Sequence, residues 1–369
     1  MSPTAKKIAS KGKAAAQPAA KTTRVTRPKI VRAAVIGVSM GSHHARSIAK
    51  NPQARLVALC DLNLERANAL AQELGGPRVT SDYREVVAAK DVDAVIIATP
   101  NVHHAPMALA AFKAGKHVCC EKPLAMTPAE ANQMVEASRK AGKVFMVAVN
   151  NRYRGDVQTL KSIINQGALG RIYYAKAGWM RRHGCPAGWF GVKQQSGGGP
   201  LIDLGVHYLD LAWYLMGCPR PVSAFGSTYA EIGRRGQKGG WGVGDKQAPF
   251  DVEDLAIGMV KFAGGQTLLV EVSWATHVQG DYNWLDVMGT EGGASFKPEL
   301  RVFKDMWDTE VDLLPRYPTP NSHTAEIDHF VECILTGKQC ISPGDEGAQM
   351  IHMLEAIYRS AETGKSVHI

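Results

Sequence analysis

The chain has 369 residues and a formal charge of +9, from 43 Lys and Arg against 34 Asp and Glu. Residues 1–32 carry nine of the basic side chains and no acid, and the first acid is Asp61, so the body of the chain is charge-balanced. The charge therefore belongs to an arm and argues against a nucleic-acid partner, while the absence of any run of about 18 uncharged apolar residues excludes a membrane-spanning helix.

In chain order, residues 1–28 come first. Their Lys/Ala/Thr/Pro mixture cannot bury a core and predicts a disordered basic tail without the apolar stretch of a secretory signal. Seven Cys with no C-x-x-C or Cys…His metal spacing point to reduced thiols in a cytoplasmic protein and to no metal. From residue 29 to residue 150, short apolar runs (KIVRAAVIG, ARLVALCD, DAVIIATP, KHVCCEKP, KVFMVAV) alternate with amphipathic segments. Continuous apolar strands separated by helices predict parallel crossovers, a doubly wound α/β domain of Rossmann type. Thr127-Pro128 offers a helix cap and an N1 proline, and Gly115 and Gly142 follow helix ends.

Residues 151–369 change rhythm. One helical segment (DVQTLKSIINQG) precedes longer alternating runs joined by Gly-rich turns, and two amphipathic segments close the chain. The expectation is an α+β domain with an open, mostly antiparallel sheet and terminal helices packing back. Leu269, Val270, Val272 and Trp274 give that sheet an apolar face to cover, which predicts a homodimer or homotetramer through it.

The turn after the first strand, Gly37-Val38-Ser39-Met40-Gly41, is a shortened dinucleotide fingerprint. Small residues there let backbone N–H groups at a helix start approach a pyrophosphate. Asp61 closes the next strand, where a carboxylate can bond a ribose 2′-hydroxyl and repel a 2′-phosphate, so NAD is favoured and NADP left open. As a helix cap, Asp61 has an equally local explanation. Thr99-Pro100-Asn101 with His104, and Glu121-Lys122-Pro123, follow later strand ends, where such sheets bind ligands. Farther on, Pro200 suits a first helical position, and Asp203 and His207, four apart, share a helix face. In isolation that pair reads as a helical ion pair.

These motifs together, with Asn151-Arg152-Tyr153, Gly197-Gly198-Gly199 before Asp203 and His207, and Ser360-Ala361-Glu362-Thr363-Gly364-Lys365, resemble the Gfo/Idh/MocA oxidoreductase family from about Ile30 onward. The resemblance implies a nicotinamide cofactor held by Gly37, Ser39, Met40, Gly41, Asp61, Thr99, Pro100, Asn101, His104, Glu121 and Lys122. It also implies that Lys122, Asp203 and His207 meet at the nicotinamide. His207 then serves as general base with Asp203 and Lys122 as orienting partners, or Lys122 is itself the base. Trp189 and Arg152 are assigned to the substrate side, Arg152 as support rather than as a phosphate ligand. Trp179, Arg181 and Phe190 suit a sugar or cyclic polyol, although Trp179 on a strand equally suits packing. Trp274 and Trp284 read as structural, Cys119 and Cys120 as small apolar fillers, and Asp210 as a helix-face residue.

The implied function is hydride transfer between NAD(P) and a ring secondary hydroxyl of a sugar, glycoside or polyol. Two other functions share the implied fold, although a pure sensor need not retain Lys122, Asp203 and His207. NAD-assisted glycoside cleavage by transient oxidation would release sugar without net NADH, and a sugar sensor would bind without turnover.

Overall fold

A computed structural model describes residues 30–235, 242–243 and 249–369. The expected disordered tail, 1–28, lies outside the described residues. Strand β1 (Val31–Ile36) shows why the first sheet is buried on both sides. Ala34 and Ile36 enter one core cluster, and Val31, Ala33 and Val35 enter another. Such a strand needs cover on both faces, which helical crossovers supply. The order continues α1 (Gly41–Lys50), β2 (Ala54–Cys60), α2 (Leu64–Glu73), β3 (Arg78–Thr80), α3 (Tyr83–Ala88), β4 (Ala94–Ile97), α4 (His104–Lys113), β5 (His117–Glu121), α5 (Pro128–Ala141) and β6 (Phe145–Ala148). The six strands lie in the order β3-β2-β1-β4-β5-β6, all parallel. The sheet order reverses between β1 and β4, the switch point at which such sheets bind ligands.

Local chemistry sets the element ends. Thr127 and Glu130 form a reciprocal capping box at the start of α5, with Pro128 at its first turn, and Gly142 ends it at φ 62°. Strand β3 and helix α3 were not anticipated. Only three residues long and nowhere fully buried, β3 carries no apolar run for a sequence to display.

The second part comprises α6 (Gly155–Asn165), β7 (Ile172–Met180), β8 (Ala187–Gly188), α7 (Lys193–Ser196), α8 (Val206–Leu215), β9 (Pro221–Tyr229), β10 (Gly242–Val243), β11 (Leu255–Phe262), β12 (Thr267–Ser273), β13 (Tyr282–Gly289), β14 (Gly293–Ser295), β15 (Arg301–Met306), β16 (Thr309–Leu313), α9 (Ser322–Thr336), α10 (Gly344–Thr363) and β17 (Val367–His368). Nine strands run β16-β15-β14-β13-β7-β12-β11-β9-β17. All these pairs are antiparallel except β7 with β12. Helices α8 and α10 cover the inner face, while α9 packs on α1. Ile327, Phe330 and Val331 of α9 share a core cluster with Val31, Val35 and Ile48, so the returning helix completes the first domain. No helix of the described residues is long and apolar enough to cross a membrane.

One expected helix start differs. Leu201–Gly205 forms a π-helical turn that feeds α8, so Asp203 precedes the α-helix rather than lying in its first turn.

Candidate active site

A cleft of about 1340 Å³ runs along the carboxyl ends of the parallel strands and into the seam with the second sheet. Its first wall is the turn from β1 to α1. Gly37 adopts φ 88°, and a Cβ there would lie 2.4 Å from the Ala98 carbonyl oxygen, so only glycine lets the turn pack against the end of β4. The Val38 amide donates to Asp61 Oδ2 at 2.8 Å, locking the turn to the end of β2. Helix α1 starts without a side-chain cap, and Ser39, Met40 and His43 at its start line the cleft. Free N–H groups at a helix start form an anion site. Uncapped helix, close-packed glycine turn and extended cleft together fit a dinucleotide.

Asp61 lines the same wall. Its Oδ1 accepts from the Asn63 amide at 2.8 Å and from Arg66 at 3.1 Å. Thr99, Pro100, Asn101, Glu121 and Lys122 also face the cleft. Asn101 is buried and donates to the Ser196 carbonyl at 2.7 Å, tying the β4 end to the second domain.

At the far end the two domains meet through charge. Lys122 Nζ lies 2.9 Å from Asp203 Oδ1 and 3.0 Å from the Asp203 carbonyl. The other carboxylate oxygen accepts from Trp274 Nε1 at 3.0 Å. Burial works to raise the Asp203 carboxyl, but the Lys122 ammonium and the two hydrogen bonds hold it below the ordinary range. His207 faces the same point. Burial and the Lys122 charge bring its imidazole down to about 3, so it is neutral near pH 7, and its Nδ1 is buried without a protein partner. Beneath, Glu121 accepts from His44 Nε2 at 2.7 Å. Burial alone would raise Glu121, yet His44, Lys122 and His207 carry it down to about 2.

The glycine loop before Asp203 is clamped. Glu253, buried, accepts from the amides of Gly199 at 2.9 Å and Leu201 at 3.1 Å, and from the Tyr358 hydroxyl at 2.7 Å. A Cβ on Gly199 would stand 2.0 Å from the Glu253 carbonyl oxygen, which is why the loop must be glycine where it crosses that strand lead-in.

Three expected ligands sit elsewhere. Arg152 does not reach the cleft: it is 1% exposed, bonds Asp210 at 2.6 and 2.8 Å and the Ile341 carbonyl at 2.7 Å, and pairs with Glu346. A buried guanidinium needs carboxylates, and these two come from α8 and α10, so Arg152 braces the helix that carries His207. Asp210, expected to be a plain helix-face residue, is its partner. His104 is fully buried, with ring nitrogens 2.8 Å from the Pro123 carbonyl and 2.9 Å from that of Thr99; it ties two strand-end turns together from behind. Gly41 lies under the turn, where a Cβ would meet Val35 at 2.7 Å.

Trp189 and Trp179 both line the cleft. Trp274, expected to be structural, contacts the site directly. Glu253 and Glu326 went unnoticed in the sequence, and His44 is visible there only as the end of the Gly37–His44 turn. For Glu326 a signal existed: it shares a helix phase with Phe330 and Cys333, where a carboxylate is out of place.

Fold and cleft define a two-domain oxidoreductase that holds a dinucleotide along one domain and presents a Lys-Asp-His set from both. Residues 31–149 match the oxidoreductase family with the NAD-binding Rossmann fold, and residues 157–295 match the GFO/IDH/MocA C-terminal domain. The chain belongs to the Gfo/Idh/MocA oxidoreductase family. D-glucoside 3-dehydrogenase of Escherichia coli K12 is 34% identical over 346 residues, 92% of this chain and 97% of that protein. Levoglucosan dehydrogenase of Pseudarthrobacter phenanthrenivorans is 36% identical over 255 residues, 66% of this chain and 65% of that one. A solved levoglucosan dehydrogenase complex with NADH and levoglucosan shares the fold at a TM-score of 0.81 and 28% identity, covering 92% of this chain and 99% of that one.

Proposed function

We propose that this protein is an NAD-dependent dehydrogenase acting on a ring secondary hydroxyl of a sugar, glycoside or cyclic polyol. The carrying observation is the Lys122–Asp203 ion pair at the seam, set beside a half-buried neutral imidazole at His207. When bound, NAD+ supplies the hydride acceptor. The chain's own groups manage the proton. A neutral His207 has a lone pair for the substrate hydroxyl proton, and Lys122 stabilises the negative charge growing on that oxygen. Asp203 anchors Lys122, and Trp274 fixes the rotamer of Asp203.

The sugar class is supported by the surfaces around this point and by relatives that act on a D-glucoside and on levoglucosan. Trp189 stacks on Phe190 with centroids 4.0 Å apart, and the Arg181 guanidinium lies 4.6 Å over the Trp179 ring. Aromatic faces suit C–H surfaces of a ring, and guanidinium donors suit its hydroxyls. Asp61 supports NAD over NADP, since its Oδ2 keeps one lone pair for a ribose hydroxyl and its carboxylate would repel a 2′-phosphate. The test is reduction of NAD+ and of NADP+ across a panel of sugars, glycosides and inositols. We expect turnover with at least one, and kcat/KM at least about tenfold higher with NAD+. No NADH from any panel member, or unimpaired turnover in both His207→Ala and Lys122→Ala, would overturn it.

A homodimer or homotetramer through the nine-stranded sheet goes with this function. Of the residues expected to form its partner face, Val270, Val272 and Trp274 point inward and are fully buried within the chain, because helices of the same chain cover that side. The outer face is the alternate set with Leu269: Phe225 and Met259 are paired across β9 and β11 yet remain 44% and 39% exposed, with Tyr229 and Tyr282 also exposed. Such an apolar outer face calls for a partner. Light scattering at micromolar concentration should report at least a dimer; a monomer refutes it. All seven cysteines are free thiols, which supports a cytoplasmic setting.

A further inference from the structure

We infer that His329, Cys333 and Cys340, none of which lines the cleft, form a binding site for one thiophilic divalent cation of the zinc class. Their ligand atoms, one imidazole nitrogen and two sulfurs, all lie within 4.8 Å of one another. His329 and Cys333 are four apart on α9 and so share its face, with Cys333 Sγ 3.3 Å from His329 Nε2. The third ligand is invisible to helical spacing. Gly337 ends α9 at φ 75° and turns the chain, which brings Cys340 back against the helix. That is why the sequence showed no metal spacing.

Distances and tautomer both suit a metal. Zinc bonds of about 2.3 Å to sulfur and 2.0–2.1 Å to nitrogen in a tetrahedron place sulfur and nitrogen about 3.5 Å apart, near the separation observed. The His329 Nε2 accepts the Ile341 amide proton at 3.0 Å and so carries the lone pair. Its Nδ1 lies 3.5 Å from Glu332 Oε2, and Glu332 is held by Lys338 at 3.0 Å. A carboxylate behind a histidine is the arrangement that orients metal-bound imidazoles. His329 and Cys333 are buried, while Cys340 is partly exposed and gives an entry path. Capture exchanges the hydrogen bond that the Ile341 amide donates to His329 Nε2 for a metal bond, and releases the thiol protons to solvent. With three protein ligands, the fourth position falls to water. The cation would clip the end of α9 to the loop that supplies the Ile341 carbonyl to Arg152.

The experiment uses the untagged full chain, reduced and stripped with chelator, then titrated with zinc chloride and, separately, with cobalt(II). We expect one equivalent bound, cobalt–thiolate charge-transfer absorption, and a zinc-dependent rise in Tm. Cys333→Ser and Cys340→Ser should each weaken binding at least about tenfold, the loss that even outer-shell changes produce. No uptake by the reduced protein overturns the site, as does unchanged stoichiometry in both variants. The cobalt spectrum of the unaltered protein decides the matter without any variant: uptake lacking thiolate bands places the ion elsewhere and overturns it.

Discussion

Asp203 and Glu326 are two carboxyl groups lining one cleft, and they are treated in opposite ways. Asp203 receives Lys122 and Trp274 and stays ionised against its burial. Glu326 is fully buried, neither oxygen has a hydrogen-bond partner, and burial with the nearby Glu121 charge pushes it well above the ordinary carboxyl range. Partners, rather than depth, decide whether a buried acid carries charge. Asp203 manages charge at the seam; Glu326, beside Glu121, is a neutral acid.

The largest break of this contrast is at the ion pair. Asp203→Asn removes the charge that holds Lys122, and kcat should fall roughly 100- to 10,000-fold while Glu326→Gln stays within about threefold. Steady-state kinetics on the two variants checks it, and equal losses would erase the distinction. A smaller effect separates them by stability. Glu326, raised in the folded state, costs stability as pH climbs above its unfolded value, because only the unfolded chain releases that proton. Glu326→Gln should therefore raise Tm at pH 8 and progressively less toward pH 5. A gain independent of pH would mean that Glu326 is ionised in the folded protein.

Acid sharpens the same comparison. His207 and His117 are lowered to about 3 and about 4, chiefly by burial, so the unfolded chain binds protons below about 6.5 that the folded chain refuses. Stability should fall as pH drops from 6.5 toward 4, by about 2 kcal/mol per imidazole at pH 5. Asp203 and Glu121, lowered when folded, add their loss only below about 4.5. Denaturant unfolding from pH 7 to pH 4 should show that fall beginning near pH 6.5, and His207→Gln should reduce it.

Much of this was legible in residues alone. Continuous runs such as DAVIIATP reveal a strand covered on both faces, and Thr127-Pro128 reveals a helix start by its own hydrogen-bonding chemistry. The Lys122, Asp203 and His207 set was legible only through the ordered motifs of a family. What stayed hidden was long-range. Trp274 reaches Asp203 across 71 positions, and Arg152 reaches Glu346 across 194. No local period encodes such pairs. Arg152 and His104 look like ligands because buried braces and ligands use the same donors, and only the direction of the side chain tells them apart.

The return of α9 to the first domain has a consequence for biosynthesis. Ile327, Phe330 and Val331 complete the core around Val31 and Val35, yet the ribosome makes them after the whole nine-stranded sheet except β17. The nucleotide-holding half therefore emerges first and waits with an apolar flank open until nearly the end of translation. Contacts of that sequence separation form slowly and leave the nascent chain exposed to aggregation. A fragment ending at β6 would keep every strand of the parallel sheet and still lack the wall that closes it.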